Sequence, residues 1–222
     1  MKDKSRLEIK FVTPLYNQSN ILYWLFSHPS SIKEIYKERK INNIYFDTNN
    51  LKSYHDNIDG ISKRCKVRLR WYGDNLNPSS STLEVKKRRN SYGSKCSSRM
   101  GIPINLEEIS YKLLLDKLDH FLENSDVLYY NNPILINSYN RKYYTTFNQN
   151  IRITIDTNIQ YFDQKFEQKP NFKKRKSSEN HIVIEFKTNW CNQKSLSDFI
   201  YTFPIRAAKN SKYINGLEKY AH

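Results

Sequence analysis

The chain has 222 residues, with 37 Lys+Arg against 22 Asp+Glu, a formal net charge of +15, and 38% hydrophobic residues. Its 5 glycines form neither GxGxxG nor GxxxxGK[ST], so a glycine-rich phosphate loop is excluded and any phosphate must be held by side chains. Cys65, Cys96 and Cys191 have neither disulfide-framework nor zinc spacing, the N-terminal MKDKSRLEIK has no apolar signal region, and the run Ile21 to Phe26 is too short to cross a bilayer.

Arg6 to Val12 alternates charged and apolar residues and predicts a strand. Asn17 to Phe26 sets Ile21, Leu22, Leu25 and Phe26 at helical spacing, and His28-Pro29-Ser30 ends that helix because the residue before proline avoids the α region. Ile32 to Arg39 predicts a short helix. Asn43 to Asp47 predicts a strand, Leu51 to Asp56 a helical turn, and Arg64 to Tyr72 a long strand. Thr82 to Arg88 and Ser94 to Ser98 predict two strands joined through the Asn90–Gly93 turn. Leu106 to Leu122 is the clearest helix, with Leu106, Ile109, Leu113, Leu114, Leu118, Phe121 and Leu122 recurring every three or four residues. Ile134 to Phe147 and Ile151 to Ile159 predict strands. Lys165 to Glu179 predicts a charged connection whose KKRK at 173–176 reads as a solvated loop rather than a nuclear signal. His181 to Thr188 predicts a strand, and Leu196 to Tyr201 and Tyr213 to Tyr220 short helices. The expected architecture is one α+β domain over residues 1–222, with about eight strands and helices on one side.

In a strand, residues two apart share a face. Arg6, Glu8 and Lys10 then oppose Leu7, Ile9 and Phe11. Arg64, Lys66, Arg68 and Arg70 oppose Cys65, Val67, Leu69 and Trp71. Glu84, Lys86 and Arg88 oppose Leu83 and Val85; Arg152, Thr154 and Asp156 oppose Ile151, Ile153 and Ile155; Glu185 and Lys187 oppose Ile184 and Phe186. The ordinary use of such a pattern is a two-layer sandwich with its charged face in water. The competing use is a closed barrel with the charged face inward. Consecutive cations on one face repel, by about 4 kcal/mol at 4 Å for an effective dielectric of 20, which disfavours the empty face and favours an anion on it. Arginine supplies paired donors for phosphate oxygens and lysine supplies point charges. A nucleic-acid surface would interleave aromatics with the cations on one face, whereas Phe11, Trp71 and Phe186 fall on the other. The five histidines have no ligand spacing, and Asp47 reads as a cap or turn former.

Arg6-Leu-Glu-Ile-Lys-Phe11, Asn43-Ile-Tyr-Phe-Asp-Thr48, Lys66-Val-Arg-Leu-Arg-Trp-Tyr-Gly73, Leu83-Glu-Val-Lys86, Tyr139-Asn-Arg141, Arg152-Ile-Thr-Ile-Asp156, Ile184-Glu-Phe-Lys187 and Ser211-Lys-Tyr213 follow one another in this order. The chain thereby resembles the vacuolar transporter chaperone (VTC) domain, within the triphosphate tunnel metalloenzyme superfamily. The resemblance implies a closed antiparallel β-barrel with a charged lumen and helices outside. It implies an activity that extends inorganic polyphosphate from ATP with Mn²⁺ or Mg²⁺. By motif position Lys10, Arg68, Arg70, Lys86, Arg141 and Lys212 are implied to be catalytic phosphate ligands, and Tyr139 and Ser211 hydrogen-bond donors to the chain. Glu185 is implied to be the metal carboxylate, with Glu8 a second acid near it. Lys66, Arg152 and Lys187 are expected as further phosphate contacts, and Lys95 stands where the family places a lysine past Gly93. Arg6 replaces the first acid of the superfamily's Glu-x-Glu-x-Lys opening, which weakens a two-metal hydrolase reading. A metal-dependent triphosphatase and a polyphosphate-binding module without activity stay open beside the polymerase. The expected partners are ATP and polyphosphate, with no nucleic acid. The expected location is the cytoplasm, with any membrane association through a separately encoded partner.

Overall fold

The computed structural model describes residues 6–89, 92–101, 103–119, 129–173 and 176–220. In chain order the elements are β1 (Arg6–Pro14), α1 (Gln18–Ser27), β2 (Ile32–Asp47), α2 (Lys52–Ile58), β3 (Lys63–Tyr72), β4 (Ser81–Arg89), β5 (Tyr92–Met100), α3 (Tyr111–Asp119), β6 (Asn132–Thr146), β7 (Ile151–Asp163), β8 (Lys176–Ser178), β9 (His181–Asn189), α4 (Gln193–Ile200) and α5 (Lys212–Glu218). The strands form one sheet in the order β1-β9-β7-β6-β2-β3-β4-β5, with β8 paired to β7. The β1–β9, β2–β3, β3–β4, β4–β5 and β7–β9 pairs are antiparallel. The order is open: β1 and β5 end it, and among the described residues no ladder joins them. The α+β class and the eight-strand path agree with the sequence; hydrogen-bonded closure into a barrel is not seen.

The chain divides into two compact units, one of Met1–Arg39, Tyr139–Ile159 and Ser178–Asn210, the other of Lys40–Ser138, Gln160–Ser177 and Ser211–His222. In the first unit the apolar faces of β1, β7 and β9 send Phe11, Ile153, Ile155, Ile184 and Phe186 into a core closed by Ile21 and Leu25 of α1 and Leu196 and Phe199 of α4. The i, i+4 spacing of Ile21 and Leu25 puts both on one helical face. Aromatic edges fill the middle, with Phe11 meeting Phe203 at 4.5 Å and Phe186 at 5.4 Å between ring centroids. In the second unit Val67, Leu69, Trp71, Leu83 and Val85 of β3 and β4 pack with Leu114 and Leu118 of α3.

Two predicted elements take different forms. Ile32 to Arg39 is the first half of β2, not a helix. Ladder pairing outweighs the helical spacing of Ile32 and Ile35 there. Phe147 N donates to Ser30 O at 3.1 Å, and Tyr36 meets Tyr143 edge-to-face at 5.7 Å, the cross-strand contact that stabilises sheets. The helix predicted from Leu106 begins at Tyr111. Asn105 draws the preceding segment into a turn through its side chain, which accepts from Glu107 N at 3.1 Å. Ser110 then caps α3 through its hydroxyl, which accepts from Leu113 N at 3.2 Å. Phe121 and Leu122 lie outside the described residues, as do His120, His222, Asn90 and Ser91 of the predicted turn, and positions 174 and 175 of the KKRK run.

Candidate functional site

The alternating strands turn a charged row away from each apolar core, and that row is not a solvated face. Glu84 is 4% exposed, Arg70 8%, Glu185 7% and Asp156 1%. A charge so withdrawn from water must be paired, and each of these is.

In the second unit, Arg68 and Glu84 stand directly opposite in the β3–β4 register. Arg68 donates to Glu84 Oε2 from Nε at 2.8 Å and from Nη2 at 2.5 Å. Lys95 of β5 donates to Oε1 at 2.7 Å, and Arg70 Nη1 lies 3.5 Å from the same oxygen. Burial raises the Glu84 pKa, but Arg68, Arg70 and Lys95 outweigh it and hold the carboxyl at about 2. Behind the guanidinium groups, Arg70 Nε donates to Asn43 Oδ1 at 2.9 Å, and Asn43 donates to Asn137 Oδ1 at 2.8 Å. Arg68 Nη1 donates to the Tyr45 hydroxyl at 3.2 Å. Burial pushes the Tyr45 phenol up, yet Arg68, Arg70 and Lys66 together bring it below its ordinary range. Lys86 is exposed and pairs in register with Lys66 on one side and Lys95 on the other.

Lys66 Nζ donates to the hydroxyl of Ser211 at 3.0 Å and lies 5.6 Å from the centroid of the Tyr213 ring. Ser211 immediately precedes α5, whose first residue is the half-buried Lys212. Tyr213 donates to Asp47 Oδ2. Asp47 also accepts from Ser53 N at 2.9 Å and Tyr54 N at 3.2 Å, so it caps α2 and ties α5 to it.

In the first unit, Lys10 opposes Glu185 and Glu8 opposes Lys187 across β1 and β9. The four side chains close a ring. Lys10 Nζ is 3.1 Å from Glu8 and 3.7 Å from Glu185; Lys187 Nζ is 3.5 Å from Glu8 and 3.0 Å from Glu185. Burial raises the Glu8 pKa, but its neighbours Glu185, Lys10 and Lys187 bring it well below the carboxylate range. Arg141 of β6 makes a two-pronged pair with Asp156 of β7, from Nε at 2.5 Å and Nη2 at 2.7 Å. Burial works against the Arg141 charge, and Asp156, Tyr139 and Glu185 more than offset it, so its pKa stands well above the ordinary value. The guanidinium lies 5.2 Å from the centroid of the Tyr139 ring. Arg152 is exposed on β7, opposite Lys187 in the register.

The residues predicted from the sequence therefore gather into sets within each unit: Glu8, Lys10, Glu185 and Lys187; Tyr139 with Arg141; Arg68, Arg70 and Lys95; Lys66 with Ser211. Arg152 and Lys86 stand at the exposed margins. The hub Glu84, the supporting Asn43, Tyr45 and Asn137, and the Arg141 partner Asp156 were absent from the predicted site. Glu84 carried a signal, since it opens a Glu-x-Lys pair like those of Glu8 and Glu185. Asn137 Nδ2, behind the Glu84 set, and Thr154 Oγ1, on β7 opposite Glu185, are buried without a hydrogen-bond partner.

A family model described as the VTC domain matches residues 4–221. The chain belongs to the VTC domain family. Among solved structures, this VTC domain is similar to a candidate adenylate cyclase of Vibrio parahaemolyticus, at 14% identity and a TM-score of 0.53, over 97% of this chain and 98% of that one. The likeness is one of fold. The Schizosaccharomyces pombe Mediator head module matches at 10% identity and a TM-score of 0.43, over 91% of this chain and 96% of the other. No curated protein matches this chain. Among the described residues, no helix is long and apolar enough to cross a membrane.

The family resemblance implies a divalent metal, for which Glu8 and Glu185 are the expected carboxylates. Glu8 and Glu185 present oxygens to the same two ammonium groups, and Mg²⁺ is commonly bound by one or two carboxylates plus phosphates and water. Among the described residues no group of three or more His, Cys, Asp or Glu could hold a metal. The pair fits a metal that shares its shell with a phosphorylated substrate, and does not fit an all-protein cage.

Proposed function

We propose that this VTC domain is an ATP-dependent polyphosphate polymerase, which transfers the γ-phosphoryl group of ATP to the end of an inorganic polyphosphate chain and releases ADP. The observation that carries the reading is the convergence of Arg68, Arg70 and Lys95 on the buried Glu84. Three cations held by one acid, with amides and a phenol behind them, form an oxyanion site assembled in advance. Membership of the VTC family supports the choice of substrate. In this proposal the charged strand faces bind the phosphates, and the protein works in the cytoplasm.

Phosphoryl transfer needs in-line positioning and neutralisation of charge more than covalent chemistry. Arg68 and Arg70 bind oxygens of the γ-phosphoryl group, and Arg141 supplies a further fork. Lys10, Lys86 and Lys212 hold the acceptor chain, with Lys66, Lys95, Arg152 and Lys187 as further phosphate contacts and Tyr139 and Ser211 as donors to it. An oxygen of the acceptor's terminal phosphate attacks the γ-phosphorus. The bond from that phosphorus to the bridging β–γ oxygen breaks, and its electron pair leaves on ADP. The attacking oxygen is already ionised, so the chain supplies no general base. Glu185 and Glu8 would hold Mn²⁺ or Mg²⁺, whose chemistry is neutralisation of phosphate oxygens.

The test is purified protein with ATP and Mn²⁺, following ADP, free phosphate and chain length on a gel. ADP with a polyphosphate ladder and little free phosphate is the expected result. ADP with equal free phosphate would make the protein a triphosphatase, and no ADP would leave a binding module.

A further inference from the structure

The second unit holds a cavity of about 1340 Å³ that takes in none of the side chains discussed above as phosphate ligands. Lys52 of α2, Lys63 and Arg64 of β3, and Lys87, Arg88 and Arg89 of β4 line it. Ile61, Cys65, Tyr129 and Tyr130 add an apolar part to its wall. Among the lining residues the acid is Asp56, and it accepts from Lys52 at 3.2 Å. The Glu84 set balances three cations around one buried acid; here, among the described residues, six cations line the space with one acid.

The register sharpens the contrast. Lys63 faces Arg89, and Arg64 faces Arg88, directly across β3 and β4. Like charges in directly opposed positions destabilise a sheet. Arg64 with Arg88 shares its face with the next cationic pair, Lys66 with Lys86, and then with Arg68 and Glu84, whereas Lys63, Lys87 and Arg89 lie on the other face of the ladder. Successive same-face rungs lie about 7 Å apart along a strand. Cationic rungs therefore descend from the Glu84 set into the cavity, a geometry suited to a linear anion and not to a single compact one.

We propose that this cavity is a second phosphate site, which takes a run of linked phosphates such as the free tail of a long polyphosphate chain. The site itself follows from the charges and the register; only the choice of inorganic polyphosphate rests on the function proposed above. Lysine and arginine stems supply its walls, and their heads neutralise the phosphates.

The experiment uses the full chain, and calorimetric titration with inorganic tripolyphosphate, ATP and long-chain inorganic polyphosphate at several salt concentrations. The neutral triple variant Arg64→Gln, Lys87→Gln, Arg88→Gln should bind the long chain at least about tenfold more weakly. Losing three phosphate contacts should also lower the slope of log affinity against log salt by about 2. Binding of tripolyphosphate should be unchanged. Loss of one of two ATP sites in the variant would identify the triphosphate of a nucleotide as the source of the phosphates. The charge-keeping variant Arg64→Lys, Lys87→Arg, Arg88→Lys should bind as the parent does. The neutral variant should melt no lower than the parent, because it removes a like-charge pair. Unchanged long-chain and ATP binding in the neutral variant would overturn the proposal, as would equal weakening in both variants or no long-chain binding by the parent. An Arg68→Ala variant separates the two readings: if it binds tripolyphosphate as tightly as the parent, the proposed function fails and the cavity proposal stands on its own titration.

Discussion

Replacing Glu84 by glutamine removes the charge at the centre of the second unit's cationic set while keeping its shape. A carboxyl held at about 2 instead of its ordinary 4.5 is favoured as the anion by about 3 kcal/mol. Because the folded value is the lower one, this stability is fully present above pH 4.5 and is lost as pH falls through 2. Glu84→Gln should therefore destabilise the chain by about 3 kcal/mol at pH 7, in line with the cost of breaking a buried ion pair. The deficit should shrink to about 1 kcal/mol at pH 3, where much of the parent's advantage has gone. Urea unfolding of both proteins from pH 7 to pH 3 reads this directly. Tripolyphosphate should restore the variant's melting temperature more than it raises the parent's, because an anion takes the place of the missing carboxylate. A deficit below about 1 kcal/mol at pH 7, or one that does not change with pH, would refute the account of Arg68, Arg70 and Lys95 as held by this acid.

Asp156→Asn leaves the buried Arg141 with half its fork unmatched and should cost about 3 kcal/mol in chemical denaturation, whereas Arg141→Ala and Asp156→Ala together should cost less than the sum of the two single changes. Gly216→Ala would set a methyl group 2.5 Å from Leu135 Cδ2 and 2.7 Å from Tyr161 Cδ1, and should lower stability by about 1–3 kcal/mol with no change in the fold by circular dichroism. Tyr213→Phe removes the hydroxyl that donates to Asp47 and should cost about 1–3 kcal/mol, read as a lower melting temperature with faster amide exchange in α2 and α5.

Much of this architecture is legible in the residues. The alternation of Arg64 to Trp71 or of Arg152 to Ile155 fixes both the strand and its charged face, since the period of two leaves one assignment. What a single strand cannot reveal is its partner. That Arg141 meets Asp156 depends on the pairing of β6 with β7, and that Lys95 reaches Glu84 depends on the β4–β5 register. Ile32 to Arg39 has helical spacing in isolation, but neighbouring strands supply the ladder and the aromatic contacts that make it extended. Leu106 and Ile109 keep the buried character that their spacing implies, at 1% and 8% exposure, yet they reach the core from a turn because Asn105 and Ser110 bind the backbone locally. Closure of the sheet depends on its two edge strands, which no local pattern specifies.

The acids inside the charged rows give the protein its own counterions. Arg68, Arg141, Lys10 and Lys187 are each neutralised by a carboxylate fixed in the fold. Under the proposed function, taking up phosphate is an exchange of one anion for another, and not the filling of bare positive charge. Such an exchanger gives up some tightness of grip, because every incoming phosphate must displace an internal rival. In return that rival is always at hand to push the phosphate off again, which is the property a catalyst needs if a chain is to move past the same side chains one unit at a time.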